Sequence, residues 1–171
     1  MNFIFIKKNE KARMTIIERK ITIEPEFLYS DLNAKLLEKT KKVLENECTK
    51  ENGYILKVNK IARIKDNYIS NVNSSIIFVM DIDVDVLKPE INALYTDKVS
   101  MIFSGGLFIN IKNKIKLLIP ISSLLGYKFD ASTKSFIKDK STVIKENDEI
   151  QIKITGIKYS KKNFNCFGEL I

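Results

Sequence analysis

A chain of 171 residues, 44% apolar and 29% charged, has the make-up of a soluble globular protein with room for one medium domain or two small ones. It has no histidine, which excludes Ser-His and Cys-His relays and His-ligated metals. The charge of +8 and pI near 9.3 point to a polyanionic partner; but the excess is lysine, arginine standing only at Arg13, Arg19 and Arg63, and sites that grip phosphate bidentately favour arginine.

Residues 1–14 join a short apolar patch, Phe3 to Ile6, to a charged stretch and read as an accessory arm. Residues 15–88 read as an α+β module, an antiparallel sheet with one helix. Its first strand is Thr15 to Ile23, broken by Glu24-Pro25-Glu26. A helix then runs from Ser30 or Asp31 as N-cap to about Asn46, because Leu32, Leu36, Thr40 and Val43, with Leu37 and Leu44 beside them, recur at steps of three and four. Asn52-Gly53 is a turn and Asp66-Asn67 another. Three antiparallel strands are expected after the helix, among them Tyr54 to Ile64 and Ile76 to Leu87, before Lys88-Pro89 closes the module.

Residues 89–171 read as an all-β five-stranded barrel of the OB type, a fold that often binds single-stranded nucleic acid. Val99 to Phe103 alternates, Gly105-Gly106 gives a corner where a sheet bends or bulges, and two alternating runs, Leu107 to Ile111 and Ile115 to Ile119, flank the three-residue turn Lys112-Asn113-Lys114. Pro120 ends the hairpin. Residues 122–147 are an insertion of weak pattern: Gly126 to Asp130 is a loop or helix ending, and Phe136-Ile137 with Val143-Ile144 makes a small hairpin. Glu149 to Tyr159 and Asn163 to Ile171 supply the last two strands, with Cys166 in the core.

Asp81, Asp83 and Asp85 put three carboxylates on one side of one strand, a row able to hold a divalent cation. Their alternation with Ile82, Val84 and Val86 is also what a sheet with one wet face gives, and Lys57 or Arg63 across the strands would neutralise them. The wet face is the better reading, and neither metal nor cofactor is expected. Cys48 and Cys166 stand too far apart for a zinc site or disulfide framework. Phe103 and Phe108 have two readings, as platforms on which bases stack or as barrel core, of which core is the commoner for strand aromatics. No apolar run reaches the roughly 18 residues of a membrane span. The opening patch carries its positive charge on the wrong side for a secretory signal. An intracellular protein without a membrane partner is expected.

In order along the chain stand Ile21-Thr22-Ile23-Glu24-Pro25, Gly53-Tyr54, the strand into Lys88-Pro89, Gly106-Leu107-Phe108-Ile109, Pro120-Ile121-Ser122, and Ile152 to Gly156 leading to Phe167-Gly168-Glu169-Leu170. Together they resemble the larger stalk subunit of multisubunit DNA-directed RNA polymerases, the seventh subunit of the eukaryotic nuclear enzyme and its archaeal counterpart. The resemblance implies a non-catalytic subunit whose first module docks on the polymerase core and pairs with a smaller helical stalk subunit. It implies a barrel near the RNA exit that touches nascent transcript. Carried onto this chain, Glu24, Pro25, Gly53 and Tyr54 fall together at the core-docking end, and Phe108, Lys112, Lys114 and Lys116 on or near the RNA-facing side. Pro89-Glu90-Ile91-Asn92 departs from the family's lead into the barrel. A stand-alone OB-type RNA-binding or translation factor is the alternative. The lysine, isoleucine and asparagine skew fits an AT-rich source such as a large DNA virus or a divergent eukaryote, with the nucleus, a viral factory or a virion as the place of action.

Overall fold

The computed structural model describes residues 12–26, 31–139 and 141–171. They divide into two compact units, one from Ala12 to Lys88 and one from Pro89 to Ile171. Of the arm expected over residues 1–14, all but the last three residues lie outside the described part, and Arg13 and Met14 already belong to the first strand.

In the first unit β1 (Arg13–Ile23), α1 (Leu32–Leu44), β2 (Cys48–Thr49), β3 (Gly53–Ile69) and β4 (Ile76–Leu87) build an antiparallel sheet in the order β1-β4-β3-β2, with the helix on one face. Asp31 caps α1, its Oδ1 accepting the Ala34 N–H at 3.3 Å, and Lys41 and Lys42 in the last turn suit the negative end of the helix dipole. The helix buries Leu36, Thr40 and Leu44. The Thr40 hydroxyl stays satisfied inside the core by donating to the Leu36 carbonyl at 2.7 Å. Val43, expected in the stripe, is 55% exposed. The buried arc is centred on Thr40, and three residues on, Val43 is rotated about 60° from that centre.

One expectation for β3 is corrected. No turn forms at Asp66-Asn67: the strand runs on to Ile69, Asp66 facing Val79 and Asn67 facing Phe78. The chain reverses only where the Ser70 N–H bonds the Ser75 carbonyl at 2.7 Å. The polar pair is absorbed by a bulge after Ile64, with Asp66 Oδ1 accepting the Asn67 N–H at 2.8 Å. The pairing as a whole is also irregular. Every third residue of β3, namely Ile55, Val58, Ile61 and Ile64, faces every second residue of β4, namely Val86, Val84, Ile82 and Met80. Each step costs β3 one extra residue and adds right-handed twist.

On the sheet's other face the acidic row of β4 meets a basic row of β3, Asp85 opposite Lys57, Asp83 opposite Lys60 and Asp81 opposite Arg63. The closest ion pair comes from a bulge residue, Lys65, whose Nζ lies 3.1 Å from Asp81 and 2.7 Å from Glu18. Asn59 Nδ2 reaches Asp85 at 3.1 Å. The row is a cross-strand charge ladder; among the described residues no group of His, Cys, Asp and Glu is disposed to hold a metal.

In the second unit β5 (Leu94–Phe103), β6 (Gly106–Ile111), β7 (Ile115–Pro120), β11 (Glu149–Ser160) and β12 (Asn163–Leu170) form a closed barrel in the order β11-β12-β7-β6-β5. All pairs are antiparallel except β7 with β12, which lie parallel where the barrel closes; β11-β5-β6-β7 is the Greek key. Leu107, Ile109, Ile115, Leu117, Ile119, Ile152 and Ile154 are fully buried inside it. Burial pushes the Cys166 thiol up to about 11, so it behaves as an apolar core group. Between β7 and β11 a 3-10 turn, Ile121–Ser123, leads to β8 (Lys128–Asp130), β9 (Ser135–Ile137) and β10 (Val143–Ile144) in a three-stranded sheet. The expected hairpin forms, with Phe136 opposite Ile144 and Ile137 opposite Val143. Gly126 to Asp130, expected as loop or helix ending, instead supplies the third strand, drawn in as Phe129 packs its ring 5.6 Å from that of fully buried Phe136.

Candidate nucleic-acid interface

The barrel hairpin fixes most of the candidate residues. At its tip Ile111 pairs with Ile115, and Lys112 and Asn113 take left-handed φ values of 48° and 57°. Asp97 supports the turn by accepting the Lys112 N–H at 3.0 Å. At the other end Ser104 and Gly105 form a tight turn and Phe103 pairs with Gly106. Gly106 has φ 148°, and a Cβ there would lie 2.2 Å from the Ile119 carbonyl oxygen, so only glycine lets β7 come this close.

The alternation of β6 sends Leu107 and Ile109 inward and turns Phe108 out. Phe103 and Phe108 are both half-buried on the outer surface, rings stacked with centroids 5.4 Å apart and 17° between planes. The core reading of these rings is therefore corrected: they form a paired aromatic platform. Met101 and Leu118 sit directly across from Phe108 on the neighbouring strands and widen its apolar surround. Two residues along, Asn110 faces the exposed Lys116, and two further lies the Lys112 to Lys114 turn. The four predicted barrel residues thus come together on one wall, graded from aromatic to basic. Such a wall can stack a base and meet its phosphates with ammonium groups. Met101, Leu118 and Asn110 were missed; their outward position follows from the register of three strands.

The other four candidates do not form one site. Glu24 and Pro25 follow the end of β1, where Ile23 pairs with Ile76, whereas Tyr54 pairs with Leu87 at the far end of β4. Eleven residue steps separate the two ends, about 35 Å. The expectation of a single docking end is corrected because α1 carries the chain back across the sheet between the two segments. Glu24 takes the Lys39 ammonium on both carboxylate oxygens, at 2.6 Å on Oε1, and this hydrogen bond holds its carboxyl below the ordinary value. Pro25 is exposed. Gly53 has φ 84° and a Cβ there would meet the Leu87 carbonyl oxygen at 2.5 Å, while Tyr54 is buried with its side chain hydrogen-bonded to Cys48. Gly53 and Tyr54 therefore build the sheet.

A sheet backed by one helix, followed by a closed five-stranded barrel with an aromatic and basic wall, defines a two-module protein whose second module is an OB-type barrel. Residues 88–166 match the family described as "S1 RNA binding domain", and residues 18–77 match "SHS2 domain found in N terminus of Rpb7p/Rpc25p/MJ0397". In that order the two modules match the Rpb7/RpoE architecture, that of the larger stalk subunits of DNA-directed RNA polymerases. No curated protein matches it. Among solved structures it is similar to "Solution structure of GSP13 from Bacillus subtilis", at 24% identity and TM-score 0.36 over 48% of this chain and 56% of that one. It is likewise similar to the apo form of Mycoplasma genitalium RNase R, at 24% identity and TM-score 0.39 over 47% of this chain and 13% of that one.

Proposed function

We propose that the chain is a non-catalytic stalk subunit that docks on the polymerase core through its first module and presents its barrel to nascent RNA during initiation. The observation that carries the reading is the outward Phe103–Phe108 stack above Lys116, on a domain of the S1 RNA-binding family that follows an Rpb7-type module. Bases stacking on such rings contribute about 1–3 kcal/mol each, and lysines that meet phosphates release counterions, so the contact weakens as salt rises. Glu24 and Pro25, with side chains at the surface, are the docking candidates that remain, and core subunits with a smaller helical stalk subunit are the partners.

Affinity purification of the tagged chain from its own cells, with mass spectrometry of what accompanies it, tests the assignment. Recovery of polymerase subunits is expected. Tight RNA binding by a chain that brings down no polymerase would overturn it in favour of a stand-alone RNA-binding factor.

A further inference from the structure

The wall around Phe108 continues beyond the hairpin onto the last two strands. Leu118 on β7 lies level with Phe167 on β12, and Phe167 faces Gly156 on β11. Phe164 and Cys166 point into the barrel, so Phe167 points out, and it is 46% exposed. A Cβ on Gly156 would lie 3.5 Å from the Phe167 ring, which places that ring against the bare backbone of β11. A level row of Met101, Phe108, Leu118 and Phe167 thus crosses four strands. Two residues further along each strand runs a second level row, in which Asn110 faces Lys116, Lys116 faces Asn165, and Asn165 faces Lys158. Beyond that row the β11–β12 turn adds Lys161 and Lys162, at the same end as Lys112 and Lys114. On the opposite side of the apolar row the charge is balanced, with Glu169 paired to Lys153 at 2.9 Å.

We propose that Phe167 is a second base-stacking site and that a single RNA strand crosses β6, β7, β12 and β11, bases on the apolar row and phosphates along Asn110, Lys116, Asn165 and Lys158. This rests on the reading of the barrel as an RNA-contact domain and assigns the path and a second anchor. Single-stranded nucleic acid is the occupant because the two rows differ in chemistry as a base and its backbone do, and the basic excess lies on one side of the rings, Lys153 on the other side being neutralised by Glu169. Phe108 and Phe167 are two strand spacings apart, about 10 Å. That is about three rises of a stacked strand at about 3.4 Å each, so about four nucleotides engage both rings.

The test is the affinity of the full chain for a ten-nucleotide single-stranded RNA, by fluorescence anisotropy of a labelled oligomer across a salt series. Phe167→Ala is expected to weaken binding about 5- to 150-fold, the range for one lost stack. Phe167→Leu, which keeps the apolar volume, should recover less than half of that loss in logarithmic terms, and Lys158→Gln should lower the salt slope by about one. Thermal unfolding verifies that both Phe167 variants remain folded. If Phe108→Ala weakens binding and Phe167→Ala does not, the second anchor is wrong and the RNA-contact reading stands. If neither does, both fail. Unchanged RNA affinity combined with loss of polymerase subunits in a Phe167→Ala pull-down would make the row a protein-docking surface instead.

Discussion

Gly106 is the backbone position on which the hairpin wall depends most directly, and its replacement by alanine has a cost that can be worked out. At φ 148° any residue with a Cβ is strained, by about 1–3 kcal/mol. The new methyl would also stand 2.2 Å from the Ile119 carbonyl oxygen, about 1 Å inside contact distance, and moving β7 away is overpacking worth about another 1–3 kcal/mol. A loss of about 2–6 kcal/mol is a large share of what usually holds a domain together. Gly126→Ala is the control, since φ is 83° there but the nearest atom is the flexible Lys138 side chain at 3.5 Å. Native-state hydrogen exchange of peptides from β6 and β7, read by mass spectrometry, should show protection falling about thirtyfold to twenty-thousandfold in Gly106→Ala. In Gly126→Ala, where only the left-handed backbone costs about 1–2 kcal/mol, the fall should be about fivefold to thirtyfold at most. Equal effects of the two substitutions would refute the close approach of β6 and β7 argued above.

Lys116→Gln should weaken RNA binding alike for all sequences and lower the salt slope by about one, read by anisotropy at several salt concentrations. Asp130 and Asp139 have pKa values lowered to about 2, held chiefly by the hydroxyls of Ser132 and Ser141. Because the folded values lie below the ordinary 3.8, the stabilisation from each is present above about pH 4 and is lost as pH falls towards 2. Ser132→Ala should raise the Asp130 value towards 3.8 in a carboxylate NMR titration while Asp139 stays in place. Leu36→Ala, at a side chain with 0% exposure, should cost about 2–5 kcal/mol in denaturant unfolding, against about 0.5 kcal/mol or less for Val43→Lys.

The hairpin was legible in the sequence because strict alternation on both sides of Lys112-Asn113-Lys114 leaves one register that buries Ile109 and Leu117 together. The helix was legible from its three-and-four spacing, though which leucines lie deepest depends on the sheet beneath. What stayed hidden were relations between distant segments. Whether Phe108 lies in or out is decided by the side of the barrel on which Leu107 and Ile109 fall. That Glu24 and Tyr54 stand apart is decided by the direction in which α1 returns. Phe167 carried a signal that could have been used: in Asn163 to Leu170 it is the aromatic on the side otherwise taken by Asn163, Asn165 and Glu169.

The three-for-two register of β3 gives the first unit slack in chain length that its neighbours lack. Leu56, Asn59, Ala62 and Lys65 are the surplus residues, one in each bulge. Deleting any one of them restores ordinary alternation at that point and leaves Ile55, Val58, Ile61 and Ile64 still turned towards the helix. A single deletion within β4 would instead swing every later side chain to the opposite face, exposing Ile82 and Val84 and burying aspartates. Of the two long strands at the centre of that sheet, one can be shortened by a residue in four places and the other in none.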